Sequence, residues 1–335
     1  MKVECGHCRK TYHIPDERLP KRDAISFPCP ACKGIIELRF KAEAVPPPQD
    51  QLGGDPLKRR ILKTVQDLPP MPQTVIKAQA IMRDPHSSFK ELAGVLESDQ
   101  ALAAKVLRLA NSPFYGLSGK VSSLQHASVV LGQKILEELI ALAGTRSLLG
   151  GRLEGYGLDA GDLWLHSISV AIGSKLIAAE KAPQMIPDAF SAGLIHDVGK
   201  LALDSYLRER RGQFETFLEK TGESFTSAEK SILGFDHAEI AAELCGIWHI
   251  PKNLIRAISS HHQPTSNGDA LCHIVHTADA IAMMSGIGAG IDGMQYPLDP
   301  HSLEFLRMEE EGMNEVMAKM AEAVHALAQE MAKDD

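Results

Sequence analysis

Five histidines and two aspartates follow one another along the C-terminal two-thirds of the chain: His166, His196, Asp197, His237, His261, His262 and Asp279. Imidazole nitrogens and carboxylate oxygens are ligands for ions such as Zn, Mn or Fe, and this many donors can hold two of them. A two-metal centre suits the cleavage of phosphoesters. One ion lowers the pKa of a bound water, and the pair clamps the attacking and leaving oxygens of an in-line displacement.

Local context bears on each donor. His166 and His237, taken singly, also read as solvated or satisfied helix histidines. The dipeptides are more telling: His196-Asp197 interrupts an apolar run, AFSAGLI before it and VGKLAL after it. Ionisable groups inside such a run need partners, because unpaired burial is costly, and a metal would supply one. Asp279 sits in HIVHTADAIAMM under the same constraint, and His261-His262 follows the helical NLIRAISS. His276 shares a helix face with Asp279 and could orient it. For His276, His273 and His249 the expectation is nevertheless ordinary helix surface. Lys200 could offer a cation to a substrate phosphate, or could snorkel at the surface.

The elements that must position these groups are helical. ELAGVLESDQALAAKVLRLA, VVLGQKILEELIALAG, LWLHSISVAIGSKLIAAE, AEIAAELCGIW and NLIRAIS all repeat apolar residues at three and four. Ser88 with Glu91 three later predicts a capping box. The prolines at 113, 183, 187, 251 and 264 fall near expected breaks. The fold class is mainly α, an all-helical domain over 56–290 with a helical extension over 291–335. The last helix, within MNEVMAKMAEAVHALAQEMAK, is expected to pack on the parent domain, with a homodimer seam as the alternative.

These motifs together carry a resemblance. HDVGK, with a His upstream, a later His-His pair and a later Asp, resembles the HD superfamily of metal-dependent phosphohydrolases. The stretch LPPMPQTVIKAQAIMRDPHSSFKELAGVLESDQALAAKVLRLANSPFYG, followed by SSLQHASVVLG, resembles the opening half of the HDOD domain, an HD-related output domain of bacterial signalling proteins. The resemblance implies one ion on His166, His196 and Asp279, a bridging Asp197, and a second ion on His237, His261 and His262. It implies hydrolysis of a phosphoester, with a nucleotide as one candidate ligand. HDOD proteins often lack parts of this set and act as non-catalytic signalling modules, so a regulatory protein-interaction module with a structural or sensory metal is the alternative. The HD-GYP phosphodiesterases carry Gly-Tyr-Pro after the His-His pair; HHQPTSNGDA lacks it, which argues against cyclic-di-GMP as substrate.

A second metal signal lies at the other end. Cys5, Cys8, Cys29 and Cys32 form two C-x2-C pairs separated by twenty residues. Four thiolates make a closed tetrahedral zinc site, which is structural because no coordination position stays open. A segment as short as 1–40 cannot bury enough core to fold alone, so zinc would supply much of its folding free energy. It resembles the zinc ribbons of bacterial regulatory proteins. Its basic residues Arg9, Lys10, Arg18, Lys21 and Arg22 are interleaved with Glu4, Asp16, Glu17 and Asp23, and only Tyr12 and Phe27 could stack on bases. With a net charge of -8 for the chain, nucleic acid is not expected as a partner, and protein docking or stability is the expected role. Residues 41–55, rich in Pro, Gly and Gln, read as a linker.

At 335 residues and 44% hydrophobic, the chain is an ordinary globular protein. No stretch reaches membrane-spanning length, and MKVECGHC is not an export signal. Paired thiols without such a signal suit a reducing compartment, so a cytoplasmic protein with signalling partners is expected. Cys245 and Cys272 read as buried thiols, with ligation by Cys272 a minor alternative.

Overall fold

The computed structural model describes residues 2–4, 8–13, 24–28, 31–32, 35–39, 55–64, 73–84, 86–117, 120–264, 269–293 and 296–331. The chain divides into two units, Met1–Leu52 and Gly53–Asp335. In the first, β1 (Lys2–Glu4) pairs antiparallel with β2 (Thr11–His13), Val3 opposite Tyr12. Strand β3 (Ala24–Pro28) pairs likewise with β4 (Ile35–Arg39), Phe27 opposite Ile36. Each C-x2-C pair therefore falls in the connection of one hairpin. Cys8 and Cys32 are described, whereas Cys5, Cys29 and residues 41–54 of the expected linker lie outside the described residues.

The second unit is helical. Helices α1 (Asp55–Thr64), α2 (Gln73–Arg83), α3 (Phe89–Glu97), α4 (Gln100–Ala110), α5 (Leu124–Leu131) and α6 (Gln133–Leu149) form its N-terminal part. The Ser88 capping box is present: Glu91 N–H donates to Ser88 Oγ, and Ser88 N–H donates to Glu91 Oε2 at 2.8 Å. Two continuous apolar patterns turn out to be broken. ELAGVLESDQALAAKVLRLA divides at Ser98 and Asp99, because Asp99 Oδ1 caps α4 by accepting Leu102 N–H at 3.0 Å. VVLGQKILEELIALAG divides at Gly132, whose φ of 79° ends α5 in a conformation that L side chains rarely adopt.

Then follow α7 (Asp162–Lys181), α8 (Ile186–Ile195), α9 (Gly199–Thr221), α10 (Phe225–Leu233), α11 (His237–Ile247), α12 (Lys252–Ser259) and α13 (Ala270–Met284). Every residue from Leu271 to Met283 is buried, so α13 is a central helix enclosed on all sides. It packs against α7 and α8. Helix α14 (Pro300–Leu306) lies on α13, and α15 (Glu310–Met331) lies mainly along α7, burying Met320 and Leu327. No helix among the described residues is long and apolar enough to cross a membrane.

Candidate metal centre

Two glycines let the helices carrying the site come together. A side chain at Gly193 would bring a Cβ to 2.8 Å from the Val170 carbonyl oxygen and 2.9 Å from Ala171 Cα. Helix α8 can therefore lie tightly on α7, which sets His196-Asp197 beside His166. Gly199, in HDVGK, does the same for α9 and α11: a Cβ there would collide with the His237 carbonyl oxygen. Asp236 starts α11, its side chain accepting Glu239 N–H at 2.8 Å, and so fixes His237 as the first helical residue.

All seven donors converge. Asp197 stands at the centre, and its two oxygens face different imidazoles. Oδ2 lies 3.6 Å from His166 Nε2 and 3.4 Å from His196 Nε2; Oδ1 lies 3.3 Å from His237 Nε2 and 3.7 Å from His261 Nε2. Asp279 Oδ1 is 3.1 Å from His166 Nε2 and 3.6 Å from His196 Nε2, and its Oδ2 is 3.8 Å from His262 Nδ1. His237 Nε2 and His262 Nε2 are 2.7 Å apart. The donor atoms form three overlapping groups: Asp197, His237, His261 and His262; His166, His196 and Asp197; and His196, His261 and Asp279.

The hydrogen bonds around the cluster prepare lone pairs for a cation. His196 Nδ1 donates to the Gly193 carbonyl at 2.8 Å and His261 Nδ1 to the Ile258 carbonyl at 2.6 Å, which leaves Nε2 of each facing inward without a hydrogen-bond partner. His166 Nδ1, His262 Nδ1 and Asp197 Oδ1 are likewise buried without one. Orphaned buried polar atoms are rare and costly, and four of these face the cluster, where an ion would satisfy them, while His166 meets it through Nε2.

The electrostatics agree. Burial opposes charge on both aspartates, yet His196 and Lys200 hold Asp197, and His166 and His196 hold Asp279, well below the usual carboxylate range. Burial also opposes protonation of His196, but Asp197 and Asp279 overcome it and raise that group to about 9. His237 is raised to about 10 against its burial by Glu229 and Asp197. His261 and His262 are pushed down by burial. A cation would compensate the same carboxylates that raise His196 and His237, and would need those imidazoles neutral in order to be ligated by them.

Several residues differ from expectation. Lys200 is not a snorkelling surface lysine; it is 3% exposed, with Nζ 2.7 Å from Asp197 Oδ2 and 2.6 Å from Asp292 Oδ2. His273 and His276 are buried rather than on a helix surface, because α13 has no solvent face. His276 Nδ1 donates to the His261 carbonyl at 2.6 Å and its Nε2 accepts Asp299 N–H at 2.8 Å, so it holds the His261 turn rather than Asp279. His249 is exposed, but it lies in the turn after α11, with φ 57°, rather than on a helix. Cys245 and Cys272 are buried, and Cys272 Sγ lies 3.5 Å from Asp269 Oδ1, outside the cluster.

Four residues were not singled out from the sequence: Tyr156, Glu229, Asp292 and Tyr296. Glu229 accepts from His237 Nδ1 at 2.7 Å and from the Tyr156 hydroxyl at 2.6 Å. Tyr296 donates to Asp292 Oδ2 at 3.1 Å and stacks on His262 with ring centroids 4.2 Å apart. The hint in the sequence was weak, no more than isolated acidic and aromatic residues in otherwise ordinary helical or loop segments.

A family model of the HDOD domain matches residues 68–264. The chain belongs to the HDOD family. Among solved structures, an HDOD domain protein of unknown function from Geobacter sulfurreducens is 27% identical, with a TM-score of 0.62 over 83% of this chain and 94% of that one. A Marinobacter aquaeolei protein provisionally named for signal transduction gives 0.65 at 23% identity, over 83% of this chain and 64% of its own. A Shewanella amazonensis protein provisionally named a phosphohydrolase gives 0.63 at 23% identity, over 81% and 97%. An uncharacterized Treponema pallidum protein is 22% identical over 209 residues, 62% of this chain; the match spans only 40% of that protein's length. These similarities support the HD-like helical fold of the second unit.

Proposed function

We propose that this HDOD protein is a metal-dependent phosphoester hydrolase whose centre holds two ions sharing Asp197. The observation that carries this reading is the division of Asp197: Oδ2 faces His166 and His196, while Oδ1 faces His237 and His261. One ion would be held by His166, His196 and Asp279, the other by His237, His261 and His262; Fe, Mn and Zn all suit this donor set. When bound, such a pair supplies hydroxide near neutral pH and charge neutralisation at phosphoryl oxygens. Lys200, whose ammonium lies 2.7 Å from Asp197 and 2.6 Å from Asp292, would be the cation that meets a phosphoryl oxygen. The phosphohydrolase name borne by the Shewanella neighbour points the same way.

A specific observation favours the second reading, a signalling module with a structural or sensory metal. Six of the seven donors are buried and His262 is only partly exposed, so the cluster sits inside the helical core, where a structural ion would also sit. The Marinobacter neighbour's name suits that reading. At the N-terminus, the placement of both C-x2-C pairs in hairpin connections supports zinc held by Cys5, Cys8, Cys29 and Cys32, in a ribbon serving stability or protein docking. A cytoplasmic site of action with signalling partners completes the proposal. Hydrolysis of a chromogenic phosphodiester by the Mn²⁺-supplemented full chain, abolished in a folded Asp197→Asn variant, tests it. An inactive wild type with bound metal would leave the signalling module.

A further inference from the structure

Glu229 is a buried carboxylate that the seven donors do not account for. It lies on α10, is 0% exposed, and both its oxygens are used. Oε2 accepts the His237 backbone N–H at 3.0 Å and His237 Nδ1–H at 2.7 Å, and Oε1 accepts the Tyr156 hydroxyl at 2.6 Å. Among the described residues no lysine or arginine pairs with it; its ion-pair partner is His237. A buried carboxylate is a poor way to stabilise a fold, since a well-packed apolar residue of the same size usually serves as well or better. Here its contacts are concentrated on one imidazole.

That imidazole differs from its neighbours. His196 and His261 rest their Nδ1 atoms on neutral backbone carbonyls, and His166 Nδ1 has no partner. Of the five histidines, His237 alone has a carboxylate within hydrogen-bond distance of Nδ1; Asp279 Oδ2 lies 3.8 Å from His262 Nδ1, too far for a hydrogen bond. The contact keeps a proton on Nδ1 and turns Nε2 toward Asp197 Oδ1 and His262 Nε2, so that Nε2 is the nitrogen that would ligate an ion, as a stronger donor.

Tyr156 is built into the same assembly. Its loop closes with a bridge between Leu153 and Leu158, and Asp204 Oδ1 accepts the N–H groups of Gly155 at 2.7 Å and Tyr156 at 3.4 Å. A Cβ at Gly155 would collide with the Asp204 carbonyl oxygen, so this residue must be glycine for the loop to sit on α9. The Tyr156 ring is fully buried and meets the His237 ring edge-on at 6.4 Å.

We infer that Glu229, held in place by Tyr156, is the positioning residue for the ion on the His237, His261 and His262 side of the centre, and sets that ion's affinity separately from the ion on His166, His196 and Asp279. The inference rests on the metal-centre reading proposed above. Glu229→Gln keeps the shape and an amide oxygen that can still accept from His237, while the charge is lost and the amide NH2 faces the Tyr156 hydroxyl, which then has to accept.

The test is a Mn²⁺ titration of the full chain, with free ion followed by electron paramagnetic resonance, on wild type, Glu229→Gln and Tyr156→Phe. Wild type is expected to bind two ions. In Glu229→Gln one ion should bind roughly 10- to 100-fold more weakly, as for loss of a carboxylate behind a ligating histidine, with the other ion and the metal-free melting temperature unchanged. Tyr156→Phe should shift the same ion by a smaller factor, and serves as the second variant should Glu229→Gln misfold. Two ions bound by both variants with wild-type affinities would overturn the inference alone. A wild type that binds no Mn²⁺ would overturn the metal-centre reading and this inference with it.

Discussion

The interior enclosed by α2–α6 and the interior enclosed by α7–α13 are equally well shielded from water and chemically opposite. The first is built from side chains such as Val75, Leu96, Val106, Leu109, Leu139 and Ile140, each with no exposed surface. Its main buried charge, Glu138 on α6, has Lys175 Nζ at 2.6 Å. Among the described residues, the second buries Asp197, Asp279, Glu229 and Asp292 with the ammonium of Lys200, the five histidines of the cluster and His276. Apolar burial stabilises a fold whatever is bound, at about 25 cal/mol per Å². A cluster of buried carboxylates stabilises nothing until it is compensated. The contrast separates an interior that stabilises by apolar packing from one that, on the metal-centre reading, would gain stability from the ions it binds.

Asp197→Ala should break that dependence most severely. It removes the carboxylate shared by both donor groups and leaves Lys200 with Asp292 alone; hydrolysis should fall to background, both centre ions should be lost, and unfolding by urea should show a loss of roughly 3 to 5 kcal/mol, the usual cost of orphaning a buried charge. Chelation of the wild type comes next. An ion present at a hundredfold its dissociation constant contributes about 2.7 kcal/mol, so chelation should lower the melting temperature. Hydrogen exchange should quicken in α7, α8, α11 and α13 while α2–α6 stay protected. Uniform exchange along the chain would erase the contrast.

Ile140→Val sharpens the comparison from the other side. It trims a methyl group from the apolar interior and should cost about 1 kcal/mol, by the same amount with and without metal. The smallest effect concerns Glu138. Burial raises its pKa above the usual 4.5, and Lys175 offsets this only in part. A carboxyl with a raised folded-state pKa favours the fold when protonated, and that contribution is lost as pH rises through the folded value. Wild-type stability relative to Glu138→Gln should therefore fall as pH increases above about 4.5; a rise would show that Lys175 dominates.

The sequence made the helical class and the seven donors legible for definite reasons. His196-Asp197 and Asp279 stood out because each lay in an apolar run where a bare polar group is expensive. Helix limits were harder. The apolar period runs unbroken through Ser98–Asp99 and through Gly132, so only a capping aspartate and one positive φ mark those breaks. His273 and His276 read as surface because spacing on one helix says nothing of how many neighbours enclose it. Glu229, Tyr156, Asp292 and Tyr296 were not legible, since their roles arise from loops and helices that meet only in three dimensions.

The centre is tested most directly by its metal content. The full chain, purified without chelator, should carry two ions beyond the zinc proposed for the cysteines, and Asp197→Ala, confirmed folded by circular dichroism, should lose those two ions and nothing else. Equal metal content in the two proteins would contradict a centre built on Asp197.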